Sequence, residues 1–163
     1  MILGLTIAQF TALHVAISLI GIVAGLIALP AFARGRLFRR TTDIFLWATL
    51  LTSLTGFLFP IVAFTPALGV GILSTLILVA SFAAYYGRKL VGRAAAVYAI
   101  SATAALYLNL FVLVVQSFLK VPALNALAPN GTEPPFVAAQ AALLLAAIAF
   151  GYIALRSSRR VAI

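Results

Sequence analysis

The sequence predicts an all-α bundle in which five helices cross a lipid bilayer, with residues 1–163 forming one membrane domain. Three observations carry that expectation. Hydrophobic residues make up 65% of the chain and charged residues only 8%, against about 45–50% and about 25% in soluble domains. Polar side chains are too few to coat a globule in water, and the mean hydropathy is +1.23. The apolar residues fall into five stretches near the roughly 20-residue length of a membrane helix, without the two-residue alternation of barrel strands. Finally, every Lys and Arg except Lys120 lies in one of three clusters that five spans place on the same side.

The first span is expected from Gly4 to Leu29, stopping before Pro30. No Lys or Arg precedes it, and it is longer than the core of a cleaved signal peptide, so it is expected to stay as a helix. Arg34, Arg36, Arg39 and Arg40 follow it. The second span is expected from Asp43 to Phe64, capped by Thr41, Thr42 and Asp43, whose carboxylate suits the positive end of a helix dipole. A tight turn at Thr65-Pro66 leads to the third span, Ala67 to Tyr86, closed by Gly87. Arg88, Lys89 and Arg93 then form the second basic cluster. The fourth span runs from Arg93 to Leu119, ahead of Pro122. Residues 120–134 make a long outer segment, with a short helix over Ala123–Ala128 and a turn at Asn130-Gly131. The fifth span runs from Pro135 to Leu155, and proline is tolerated where it starts. Arg156, Arg159 and Arg160 close the third cluster.

The positive-inside rule makes the arginine-bearing side cytoplasmic. The N-terminus is then outside and the C-terminus inside. Trp47, Tyr85, Tyr86 and Tyr152 fall near the inner ends, where aromatic rings settle at headgroup depth. The seven residues Arg34, Arg36, Arg39, Arg40, Arg88, Lys89 and Arg93 are expected to meet anionic lipid headgroups, at about 1 kcal/mol each. No soluble module accompanies them, so nucleic acid is not an expected partner.

Polar residues inside lipid are costly and usually face protein. Thr11, His14, Ser18, Gly21 and Gly25 share one helical stripe, and Gly21-x-x-x-Gly25 invites a close backbone approach, within the chain or between copies. Thr49, Thr52, Ser53 and Gly56 share a second stripe. Tyr98, Ala102, Ala105, Asn109, Val112 and Gln116 form a third, and Gln140, Ala147 and Gly151 a fourth. At about 1.5 Å per residue, His14, Asn109 and Gln140 stand roughly 22–25 Å above the cytoplasmic ends, with Thr52 lower. If these faces converge, His14, Ser18, Thr52, Asn109, Gln116 and Gln140 line a polar pocket in the outer half, under the outer segment as a lid. The plainer expectation is that these amides are packing glue, worth about 0.6 kcal/mol per hydrogen bond. For His14 it is a neutral imidazole bonded to a neighbouring Thr or Asn.

Several chemistries are excluded by composition. Cysteine is absent, which removes disulfides, thiolate metal sites and cysteine nucleophiles. With one histidine, a bis-histidine haem cannot be ligated within one chain. Asp43 and Glu133 lie at opposite ends of the spans, so no zinc site or Ser–His–Asp arrangement is expected. No carboxylate lies within a span, as a proton pump would want. No catalytic residue, metal or cofactor is expected.

The segments HVAISLIGIVAG (His14–Gly25), LTSLTGFLFP (Leu51–Pro60), ALYLNLFVLVVQSFLKVPALNALAP (Ala105–Pro129) and EPPF (Glu133–Phe136) together resemble a widespread family of small bacterial five-helix membrane proteins. The resemblance implies a bacterial inner-membrane location and singles out His14, Asn109, Gln116, Lys120 and Glu133. It brings no activity. Members of that family often carry a second histidine just after the proline opening the third helix, where this chain has Ala67 and Leu68 after Pro66.

The expected function is non-enzymatic: an accessory or assembly subunit of a larger membrane complex, or a bundle that self-associates. The alternative is binding or transport of a quinone or lipid in the outer-half pocket. A further alternative is a redox subunit whose His14 shares a haem with a second copy.

Overall fold

A computed structural model describes residues 1–60 and 66–160. Within them the chain is all-helical. The helices are α1 (Ile7–Ala33), α2 (Arg39–Gly56), α3 (Pro66–Phe82), α4 (Arg93–Lys120), α5 (Pro122–Asn125) and α6 (Pro134–Ser157). A π-helical turn, Ala83–Gly87, extends α3, and a 3-10 turn, Ser158–Arg160, ends α6. α1, α3 with its π turn, α4 and α6 are long and apolar enough to cross a membrane. α2 has 18 residues, beginning with Arg39 and Arg40, and is the most polar of the long helices.

Several element ends differ from the sequence expectation, each for a local reason. α1 begins at Ile7 rather than Gly4, because Leu3 and Gly4 sit at φ 51° and 81°, outside helical space. Thr6 caps it: its hydroxyl accepts from Gln9 N–H at 3.2 Å, and Gln9 Oε1 accepts from Thr6 N–H at 3.0 Å. This is a reciprocal capping box. α1 also runs through Pro30 to Ala33. Proline removes only one ladder bond, and burial of Leu29, Ala31 and Phe32 holds the last turn against the bundle. α2 begins at Arg39 behind Phe38 and has no side-chain cap. Thr41, Thr42 and Asp43 therefore lie inside its first turns instead of capping it. α2 ends at Gly56, not Phe64. The expected continuation through 61–64 and the turn at Thr65 lie outside the described residues. The outer helix is only Pro122–Asn125, not the longer run to Ala128.

α4 is the central post, with α3, α2, α1 and α6 arranged around it. Its stripe Ala95, Tyr98, Ala99, Ala102, Ala105 is at most 2% exposed. Alanine at the inward positions lets neighbouring helices approach closely. α2 and α3 are antiparallel neighbours: Ser53 Oγ donates to Ser74 Oγ at 3.3 Å, and Trp47 meets Phe82 edge-on at 5.0 Å. α6 runs back along α4, with Phe118 against Phe136 at one end and Gly151 beside Thr103 near the other. The Gly21 and Gly25 notch is filled within the chain, by Thr49 and Ala48 at Gly21 and by Phe45 and Leu106 at Gly25.

These contacts bring the three basic clusters to one end of the bundle. There, Trp47 Nε1 donates to Tyr86 Oη at 3.1 Å, and Tyr86 donates to Asp43 at 2.6 Å. The chain crosses from α2 to the π turn and fastens the first basic loop to the second. In that second loop Lys89, Leu90 and Gly92 all have positive φ, and Leu90 is buried as its anchor.

At the other end, Glu133 precedes α6 and gathers the outer segment. Its carboxylate accepts from Asn130 N–H at 3.0 Å, Asn130 Nδ2 at 2.8 Å and Thr132 N–H at 3.0 Å. Desolvation raises its pKa, but these bonds and its own backbone together outweigh that and hold the carboxyl below its ordinary 4.5. A depressed folded-state pKa gives stability that is present above 4.5 and lost as pH falls through the lower folded value. The amide proton shifts of Asn130 and Thr132 are therefore expected to titrate together with a midpoint below 4.5. Glu133→Gln should abolish that step.

Candidate functional site

The bundle is packed differently in its two halves. Toward the arginine end, Phe32, Phe45, Leu46, Tyr85, Tyr98 and the alanines of α4 form a continuous core. Toward the opposite end the helices form a partly open cavity of about 570 Å³. Its walls come from α1 (Thr11 to Ile22), α2 and the residues after it (Thr52 to Pro60), α3 (Ala67 to Ser74) and α4 with the residue after it (Leu108 to Val121).

Of the residues the sequence singles out, His14, Ser18, Thr52, Asn109 and Gln116 all line this cavity. Gln140 does not. It stands near the level of Asn109 but on the opposite side of α4, where its Nε2 donates to the Phe111 carbonyl at 3.3 Å. Depth along the membrane axis follows from residue rise, whereas direction around α4 does not. The outer segment is also not a lid. Only Lys120 and Val121 reach the cavity. The rest folds back on α4, with Asn125 Nδ2 donating to the Phe118 carbonyl at 3.2 Å and Ala128 buried.

Gln140 Oε1 is buried without a hydrogen-bond partner. The side chain thus makes one long bond and strands one acceptor, and removing both groups together costs little. Gln140→Leu is expected to change stability by less than about 1 kcal/mol, as measured by reversible unfolding in detergent.

His14 is the most constrained polar group in the wall. Its Nδ1 lies 2.8 Å from Thr55 Oγ1, and Phe59 stands edge-on to its ring at 5.4 Å. Phe10 in turn packs against Phe59 at 5.1 Å. Thr55 holds its place by donating to the Leu51 carbonyl at 2.7 Å. Asn109 donates to Thr49 Oγ1 at 3.2 Å, tying α4 to α2 just below the cavity floor. Among the described residues, Lys120 is the only Lys, Arg, Asp or Glu in the lining.

Sequence reasoning missed Thr55, Phe59, Ser74, Ser117 and the place of Lys120 in the wall. Two signals were present. Lys120 and Ser117 continue the stripe of Asn109, Leu113 and Gln116 at helical spacing, and Thr55 follows Thr52 by three residues on α2. Among the described residues no three His, Asp or Glu side chains come together as a metal site would require. The basic residues Arg34, Arg36, Arg39, Arg40, Arg88, Lys89 and Arg93 lie at the far end of the bundle, with Arg36 over the Phe38 ring at 5.5 Å. No family model, curated protein or solved structure matches this chain.

Proposed function

We propose that the protein is a non-enzymatic membrane protein that binds a small amphipathic molecule, a quinone or a lipid, in the half of the bundle away from its arginines. The cavity carries this reading. Its volume of about 570 Å³ falls within the roughly 300–1,000 Å³ of small-molecule sites. Its walls are largely apolar, with Val15, Leu19, Ile22, Leu108 and Val112 beside a few polar groups at His14, Asn109, Gln116 and Lys120. That division suits a guest with an apolar body and a polar head.

The same proposal has the chain crossing a bacterial inner membrane five times, α2 included, with the N-terminus outside. Support comes from the gathering of all three basic clusters at one end and from the antiparallel packing of α2 against α3. A reporter fused after Ile163 should be active only in the cytoplasm. Native mass spectrometry of protein extracted gently from its own membrane tests the binding role. A retained small molecule is expected, and a bare chain from several mild detergents would count against the proposal.

A second reading, an accessory subunit of a larger complex or a self-associating bundle, is favoured by α6. No residue of its membrane-length window is buried within the chain. Leu144, Leu145, Ile148, Tyr152 and Ile153 point outward. Crosslinking from cysteines placed at Leu145 and Ile148 in native membranes should then yield defined oligomers or a partner adduct. A monomer throughout would remove this reading and leave the first intact.

A further inference from the structure

Hydroxyl groups in membrane helices commonly bond their own backbone, and here that habit decides what the cavity can offer. Thr11 donates to the Ile7 carbonyl at 2.8 Å, Ser18 to His14 at 2.7 Å, Thr52 to Ala48 at 2.9 Å and Ser117 to Leu113 at 2.7 Å. A hydroxyl has one proton. Each of these hydroxyl protons is therefore spent, so these four groups offer a guest lone pairs, and the donors in the wall are the Asn109 and Gln116 amides and the Lys120 ammonium.

The same accounting fixes the histidine. Thr55 Oγ1 lies 2.7 Å from the Leu51 carbonyl and 3.1 Å from the Thr52 carbonyl. Carbonyls only accept, so the Thr55 proton goes to them. The 2.8 Å contact between Thr55 Oγ1 and His14 Nδ1 must then have Nδ1 as donor. A neutral imidazole with a protonated Nδ1 carries a bare lone pair on Nε2. Among the described residues no carboxylate lines the cavity to hold an imidazolium, and Lys120 already brings one positive charge to it.

We infer that the guest's head is a neutral hydrogen-bond donor, a phenolic or alcoholic hydroxyl, received by Nε2 of His14. The inference rests on the cavity reading above and narrows its ligand class. At Nε2 a hydroquinone-type hydroxyl meets the lone pair productively, whereas an ether oxygen or an oxidised quinone's carbonyl brings acceptor against acceptor there and has only the Asn109, Gln116 and Lys120 donors elsewhere in the wall to turn to. A cationic head is opposed by Lys120 in the wall.

The chain has one histidine, so selective ¹⁵N-histidine labelling reports His14 alone. In detergent-solubilised protein, Nδ1 should give a protonated-type signal and Nε2 a pyridine-type signal. Adding 4-hexylphenol should shift Nε2 and leave Nδ1 nearly in place. The methyl ether 4-hexylanisole, with the same body and a capped hydroxyl, should bind roughly tenfold more weakly. Thr55→Val removes the acceptor that sets the tautomer, and should shrink the gap between the two probes to under about threefold. Val112→Trp, which occupies the cavity, separates binding there from uptake into the micelle.

A protonated-type Nε2 in the unmodified protein overturns the inference. So does equal binding of phenol and ether that Val112→Trp abolishes, although in that case the cavity reading survives. If neither probe binds in a Val112-dependent way, the cavity reading and the inference fall together.

Discussion

Replacing Gly25 with alanine is expected to destabilise the bundle by about 1–3 kcal/mol, the usual cost of forcing a methyl into a filled interior. A Cβ at Gly25 would stand 2.8 Å from Phe45 Cδ2 and 2.9 Å from Leu106 Cδ1. Phe45 cannot swing away, because it is wholly buried between α1 and the core. Gly21 supplies the control on the same helix face. There the nearest atoms are at 3.3–3.4 Å, so Gly21→Ala needs only a shift of a few tenths of an ångström and should cost less than half as much. Reversible unfolding in mixed detergent would rank the two. Equal costs would mean that Phe45 has more freedom than its packing implies.

The largest effect on binding is expected from Val112→Trp. Val112 lines the cavity from α4, and it is only partly buried. The void can receive an indole, so the fold should persist. A guest loses on the order of 100 Å² of apolar contact, about 2.5 kcal/mol at 25 cal/mol per Å². Affinity for 4-hexylphenol should therefore fall roughly fifty- to hundredfold, while the unfolding midpoint moves little. Titration against the labelled His14 gives the affinity directly. Retained affinity would place the guest elsewhere on the bundle.

Much of this architecture is legible in the residues, and the limits have physical causes. Apolar runs and Arg placement announce the long helices, because lipid demands apolar length and the basic loops gather at one end. The ends were harder. Pro30 looks like a stop, yet α1 passes through it, since the last turn is held by Leu29 and Phe32 rather than by its ladder. Gly56 ends α2 well before the apolar residues do. Within the candidate site, helical spacing groups His14 with Ser18, and Asn109 with Gln116, and the cavity brings these stripes together with Thr52. Spacing says nothing of which way a stripe turns about the bundle axis, and Gln140 was misplaced for that reason. The partner of His14 was also hidden: Thr55 is one of several hydroxyls on α2, and only the fold decides which one meets the ring.

The contrast between a densely filled half and a hollow one sets how the bundle yields. Amide exchange should be slowest around Ala99 and Ala102 and quicken toward Thr11 and Val112, since opening is cheapest where fewest atoms must part. Such a molecule loosens from its rim as a bud does. Widening the void asks only the turns around it to splay, while the arginine-bearing base keeps its shape.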